Sequence, residues 1–595
     1  MRRVLQASRA KSTRPIVFRK HLCRSVFSFI VASATLIVPL EAASHKGSEV
    51  EANEAKADAS VTPTPTATPT SADKSAPAPD FKPESSNSSG SVTVEGNRID
   101  YQAVAGTLVV HPKGWDDAAA AEEKKTKESE QSKEESQGEG EAKNPTAEAS
   151  MFYVAYTKQH TEPEKRPITF LFNGGPGSST VWLHMGAFGP RRVITADNSH
   201  TPAAPYQVVN NDFSLLDASD LVFVDAPGTG FSRIAGKNKE KEFYGVDQDA
   251  HAFAEFIVAY LTKYGRWNSP KYLFGESYGT PRSAVLSNLL EQEYDLDLNG
   301  VMLLSQILNF DLSADRPESN PAIELPYVVA LPTYAASAWY HHKLPGPNAP
   351  ADLEAFLKEV EDFATTQYAH ALAEGATLPQ AERQGIAEKL HQYTGLPVSY
   401  ILKANLRIDG GEFEKNLQDD ADMTTGRLDT RFSGPTMDPL SKEAEYDPQA
   451  AAISSAYVSA FNDYVRKALN FGQDKMYRPQ TSLWRKWDFK HEPPGARQPL
   501  QQATNTMPDL ARAMKYNPDL RIFLAGGYFD LATPFYEGWV EMHHLPIPAS
   551  LQDHIQYHYY QSGHMVYAHQ ESLKALHDDA AAFIQATDHL GKPGS

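Results

Sequence analysis

The chain has 595 residues, 22% charged and 41% hydrophobic, with a formal net charge of −19, an ordinary balance for a globular protein with room for a large core. So acidic a surface repels phosphate backbones and anionic headgroups, which speaks against nucleic acid or an anionic membrane as partner. The single cysteine, Cys23, lies in a basic N-terminal stretch, so an intrachain disulfide and a cysteine-based metal centre are excluded, and no metal or other cofactor is expected.

Residues 1–24 carry eight Lys or Arg and no acid, the run from Ser25 to Leu40 is uncharged and largely apolar, and Ala42 and Ala43 follow. This is the pattern of a cleaved signal peptide over 1–43; the apolar run falls short of the ~20 residues of a spanning helix. The expectation is an exported protein, periplasmic or secreted, with no integral membrane segment after cleavage. Residues 44–91 are rich in Ala, Ser, Thr and Pro and read as a disordered linker, since they offer too little apolar surface to fold. Order is expected from Val92, with strands around Val92, Val94 and 107–110 and a turn at Gly96-Asn97. The charged low-complexity run 116–149 reads as a solvated loop inserted before a strand at 151–156.

From Ile168 the pattern becomes strand, glycine loop, helix. Apolar runs at 168–172, 221–224, 272–274 and 301–304 alternate with helical spacing through Val246, Ala250, Phe253, Ile257 and Leu261, and later through Ala284, Leu286 and Leu290. Such alternation predicts a mostly parallel sheet flanked by helices. Between 309 and 515 helical patterns dominate, with one apolar stripe through Leu353, Phe356, Leu357, Val360 and Phe363 and another through Tyr457, Phe461, Val465 and Leu469. A buried strand returns at 521–524, and 558–561 reads as one more. The expectation is one α/β domain in two parts, 92–308 and 516–590, interrupted by a helical cap at 309–515.

Gly275-Glu276-Ser277-Tyr278-Gly279 has the G-x-S-x-G form of a nucleophile elbow, in which a serine sits on a sharp strand-to-helix turn. A strand before it and a helix after it give that short pattern its weight. A serine hydroxyl needs a base, normally His, oriented by a carboxylate. In the chain order of the α/β-hydrolase fold these are Asp530, after the turn Ala525-Gly526-Gly527, and His564, in Ser562-Gly563-His564-Met565. His543, His544, His554 and His558 crowd nearby, and on pattern alone the assignment stays open. Asn173-Gly174-Gly175-Pro176-Gly177 is either a plain turn or the source of an oxyanion donor at Gly175, partnered by the N–H of Tyr278. A phosphate loop would need G-x-x-x-x-G-K-[ST], which is absent.

In order and spacing, NGGPGSS at 173–179, VDAPGTGFS at 224–232, GESYGT at 275–280 and GHM at 563–565 resemble the blocks of the serine carboxypeptidase family (peptidase family S10). The resemblance covers roughly 165–310 and 520–570 and implies an α/β-hydrolase fold that releases C-terminal amino acids from peptides through an acyl-enzyme. It implies Ser277 as nucleophile, His564 as base, Asp530 as its orienting acid, and Asn173, Gly174 and Glu276 as contacts for the carboxylate of a peptide with a free C-terminus. There are two departures. Ser178 stands where the family has a disulfide-bonded cysteine, consistent with a bacterial-type homologue. Ala187 stands where the family has a second carboxylate-binding Glu. Arg191 or Arg192 is expected to compensate, because guanidinium binds carboxylate bidentately. The alternatives are an esterase or acyltransferase on the same triad, and a non-catalytic binding protein on this fold. Oligomeric state is not legible in the sequence.

Overall fold

The computed structural model describes residues 81–118, 120, 144–346, 349–496 and 504–590. The leader 1–43, the linker up to residue 80 and most of the charged run 116–149 lie outside the described residues. Among the described residues no helix is long and apolar enough to cross a membrane.

Strand β1 (Ser85–Val94) and β2 (Asn97–Val110) form a hairpin, and β3 (Glu148–Lys158) pairs antiparallel with β2. Order therefore begins earlier than Val92. The segment Ser-Ser-Asn-Ser-Ser-Gly-Ser looks like linker by composition, yet it occupies the sheet edge, where pairing is made by the backbone and needs little from the side chains. At the base of the charged run, the Asp116 N–H donates to Asn144 Oδ1 and Asn144 Nδ2 returns a bond to the Asp116 carbonyl.

β4 (Ile168–Phe172) precedes a small ribbon, β5 (Arg191–Val193) with β6 (Val208–Asn210). β7 (Asp220–Val224), the short β8 (Arg233–Ala235), β9 (Lys271–Glu276) and β10 (Gly300–Leu304) follow. After the cap, which holds the ribbon β11 (Met423–Thr425) and β12 (Ser433–Pro435), come β13 (Arg521–Gly527) and β14 (Ile555–Tyr560). The main sheet runs β1-β2-β3-β7-β4-β9-β10-β13-β14, with β8 against β3. Pairing is parallel from β7 through β14.

The parallel strands read as continuous apolar runs because both faces are covered. Side chains alternate between two clusters: Leu171, Phe274, Met302 and Phe523 lie in one, while Phe170, Leu273, Val301 and Ile522 lie in the other. Helices Val246–Tyr264 and Gly279–Tyr294 cover the second face, and Gln570–Thr587 covers the first. The expected α/β-hydrolase fold is what forms. β4 has β7 on one side and β9 on the other, so the chain reverses direction of travel across the sheet there, and ligands bind at such a switch point, outside the carboxyl ends of the strands.

The cap has its own apolar cluster, drawn from 314–417 and joined by Tyr528, Phe529, Phe535 and Val540 of the hydrolase domain. Helix Pro448–Lys467 instead joins the first main cluster, and Met507–Tyr516 joins the second. The inserted segment 309–515 is thus a separate body only in its first half, and its later half is built into the hydrolase core.

Candidate active site

Register alone brings the first residues together. Phe172 of β4 stands beside Gly275 of β9, so the next residues, Asn173 and Glu276, leave the sheet side by side. Ser277 follows with φ of +59°, a left-handed conformation that costs a non-glycine residue about 1–3 kcal/mol. It is held by its N–H donating to the Leu304 carbonyl (3.0 Å), while its own carbonyl accepts from the N–H and hydroxyl of Thr280 (2.8 Å each). The flanking glycines answer to space rather than to φ. A Cβ on Gly275 would lie 2.2 Å from the Gly279 carbonyl oxygen, and one on Gly279 would lie 2.8 Å from that of Phe172.

The 173–177 loop rides directly on this elbow: a Cβ on Gly174 would sit 2.3 Å from the Tyr278 nitrogen. Behind it lies Arg282, fully buried, which donates to the Asn173 carbonyl (2.8 Å) and pairs with the buried Asp249 (2.5 Å). Its guanidinium carbon stands 4.4 Å from the centre of the Phe253 ring. The front of the loop is tied to the late cap segment. The Ser179 N–H and hydroxyl both reach the Pro479 carbonyl, and the Thr481 N–H reaches that of Gly177. Ser178 accepts a bond from Trp182 Nε1 at 2.8 Å.

His564 follows β14 and Asp530 follows β13, and they meet: His564 Nδ1 lies 2.8 Å from Asp530 Oδ2. Asp530 is fully buried, with Oδ1 accepting the N–H groups of Ala532 and Thr533 and Oδ2 accepting the Thr533 hydroxyl. Burial pulls the His564 imidazole down, but the adjacent Asp530 carboxylate and Glu276 together more than offset it, and the net shift is upward from the ordinary range. Glu276 is pushed up to about 7, chiefly by burial. His564 and the side chains of Tyr567 and Asn173 pull it the other way, Tyr567 donating to Oε2 at 2.8 Å.

One cavity of about 740 Å³ is lined by Asn173, Gly174, Gly175, Glu276, Ser277, Tyr278 and His564 together. Asp530 stands behind His564. Aromatic and apolar walls come from Trp182, Ile307, Phe310, Trp484, Phe489 and Met565. Arg191 and Arg192 do not line it, and the expectation that one of them compensates for Ala187 is corrected. Both sit on β5, where Arg191 reaches the Ser91 carbonyl and Arg192 reaches Gln570 and the Phe213 ring. The ribbon pairing of β5 with β6 turns that segment away from the elbow. The guanidinium that does line the cavity is Arg427 of the cap, held in two bonds by Asp315.

Sequence reasoning missed Thr533, Arg282 with Asp249, Tyr567 and Arg427. Arg282 and Asp249 left a signal, as charges on the apolar faces of two helices. Arg427 left none, because its neighbours come from distant cap segments.

Fold and site define an α/β hydrolase with a serine elbow. Residues 132–321 match the family model described as serine carboxypeptidase. The pheromone-processing carboxypeptidase KEX1 of Candida dubliniensis is 28% identical over 169 residues, covering 27% of this chain and 23% of that protein. Serine carboxypeptidase-like 34 of Arabidopsis thaliana is 26% identical over 179 residues, covering 28% of this chain and 34% of that protein. The chain thus spans about a quarter to a third of the length of these relatives. Among solved structures, the proline iminopeptidase of Mycobacterium smegmatis aligns over 74% of this chain and 96% of its own, at 12% identity and a TM-score of 0.32.

Proposed function

We propose that the protein is an exported serine carboxypeptidase, acting in the periplasm or outside the cell on peptides with a free C-terminus. The observation that carries this reading is the convergence on one cavity of a serine on a strained elbow, an imidazole held by a buried aspartate, and a buried Glu276 beside Asn173. In the proposed reaction Ser277 Oγ attacks the last peptide carbonyl as its proton passes to His564 Nε2. Asp530 keeps the imidazole turned and stabilises its charged form. The oxyanion is received by the N–H groups of Gly175 and Tyr278. The C–N bond breaks, and His564 returns the proton to the departing amine of the last residue. Water, deprotonated by His564, then cleaves the acyl ester and frees the shortened peptide. Glu276 in its protonated form donates to the substrate's terminal carboxylate, a role suited to an acid that burial holds neutral near pH 7.

The test incubates one peptide with a free C-terminus and its amidated twin, with Ser277→Ala alongside. Stepwise loss from the free end only, absent in the variant, is the expected result. No cleavage of either peptide would overturn the peptidase reading.

A second reading, esterase or acyltransferase on the same residues, is favoured by Ala187, a buried methyl where the family places a second acid. Hydrolysis of small esters with no peptide cleavage would select it.

A further inference from the structure

Away from the catalytic cavity, a second cavity of about 260 Å³ opens where cap helix Leu353–Phe363 meets helix Phe535–His543 of the hydrolase domain. Its walls are unusual in kind. Five aromatic rings, Tyr528, Phe535, Tyr536, Trp539 and Tyr559, share it with Glu354, Leu357, Lys358 and Glu361. Tyr528 meets Phe535 edge-on at 5.0 Å and 85°, and Phe535 meets Tyr559 at 5.4 Å and 69°. The Tyr559 hydroxyl is buried without a hydrogen-bond partner. The Glu361 side chain is only 17% exposed, and the cation near it is Lys358, 3.3 Å away on a side chain 67% exposed. Tyr528, Tyr536 and Tyr559 all lie within the field of the Glu361 carboxylate.

A cavity that combines aromatic walls with a mostly buried carboxylate has a defined chemical complement. Ring faces and carboxylate both attract positive charge, and the rings remove the water that would otherwise screen it. A neutral apolar group would gain nothing from the carboxylate, and an anion would be repelled. We propose that this cavity is a binding site for an alkylammonium group. Lys358, also in the wall, already pairs with Glu361 at 3.3 Å and with Asp362 at 3.6 Å, and its largely exposed side chain is the internal competitor that a ligand cation displaces. The site is separate from the carboxypeptidase reading, although Tyr528 precedes the buried Asp530 by only one intervening residue, Phe529.

The experiment titrates the full chain with tetramethylammonium chloride at constant ionic strength, followed by calorimetry and ligand-observed NMR. Tert-butanol serves as the uncharged probe of similar shape. Saturable binding of the cation alone is expected, weakened about tenfold or more in Glu361→Gln and tightened in Lys358→Ala. Equal responses to the two probes, or a Glu361→Gln variant that binds like the parent, would overturn the site. Lys358 is exposed, so its variant retains the fold and keeps the test decisive should Glu361→Gln not fold; unchanged or weaker binding there also sinks the proposal. Competition by a lysine peptide but not by its acetylated form would identify the ammonium source as a side chain, and failure of both to compete would identify it as a free amine.

Discussion

Ser277 spends conformational energy to stand at the cavity with φ of +59°, and in the proposed function His564 and Asp530 supply the chemistry that uses it. Ser277→Ala is expected to lower kcat by about 10⁴-fold or more with KM for peptide nearly unchanged. Asp530→Asn should cost about 10⁴-fold in kcat while leaving the fold intact, because the imidazole is then held in the wrong tautomer. Steady-state kinetics with circular dichroism on each variant checks both. The pH profile separates two roles. In the proposed reaction His564 must be neutral to act as base, and its upward shift moves the expected acid limb of activity above the ordinary histidine range. Under the same proposal Glu276 must be protonated to receive a carboxylate, so free-acid peptides are expected to bind worse as pH rises through about 7. The two groups interact, and their limbs belong to the pair. A bell is expected for free-acid peptides and a simple rise to a plateau for esters. Glu276→Gln should remove the alkaline limb for peptides. An alkaline limb equally strong with esters would contradict the role given to Glu276.

At the scale of elements, the site is made where β4 and β9 end in register and two loops touch. Gly174→Ala places a methyl against the Tyr278 nitrogen and should reduce kcat by about 10²-fold, the usual cost of a misplacement near 1 Å. Arg282→Met leaves Asp249 buried and unpaired and frees the Asn173 carbonyl, with an expected loss of about 3–5 kcal/mol in unfolding free energy, measurable by denaturant titration. The strands of the parallel sheet and the strand–turn–helix around Ser277 were legible because local signals there, such as apolar runs and glycine turns, agree with the global fold, whereas the choice of Asp530 and His564 rested on the family resemblance, pattern alone leaving it open. The polar edge strand β1 was hidden by its composition, since its pairing is made by backbone alone. The arginines were misassigned for a related reason. Arg191 and Arg192 are near the loop in sequence, whereas proximity to the cavity is decided by the direction of a ribbon. Arg427 reaches the cavity from a cap segment far along the chain.

Over the whole molecule, burial has raised a set of acids. Glu276, Asp225 and Glu541 stand at about 7, Asp409 at about 6 and Glu291 at about 8, each chiefly through desolvation. A group raised on folding contributes stability that is complete below its unfolded value and lost as pH rises through the folded one. These acids therefore favour the native state at mildly acidic pH and penalise it toward pH 8. In His491 burial, the largest single effect, lowers the pKa, but Asp247 and Asp509 together outweigh it and raise it to about 9, so this group acts in the same direction. His184, lowered to about 3 by burial, acts oppositely, its contribution being lost as pH falls below the ordinary histidine range. Burial lowers His111, His251, His341 and His554 as well, but with Glu361, Glu414 and Glu537 also raised the acids outnumber these histidines, so thermal unfolding should come several degrees earlier at about pH 8.5 than at about pH 5.5. A higher midpoint at the alkaline pH would contradict the balance.

The reciprocal bonds between Asp116 and Asn144 close the mouth of the charged run before its length enters the energetics. Loop-closure entropy changes by only about 0.6 kcal/mol for each doubling of length. The stretch between those two residues is therefore an engineering port: it can be cut to a short Gly-Ser turn, or made to carry an affinity tag or fluorescent reporter, with the melting temperature and turnover of the parent retained.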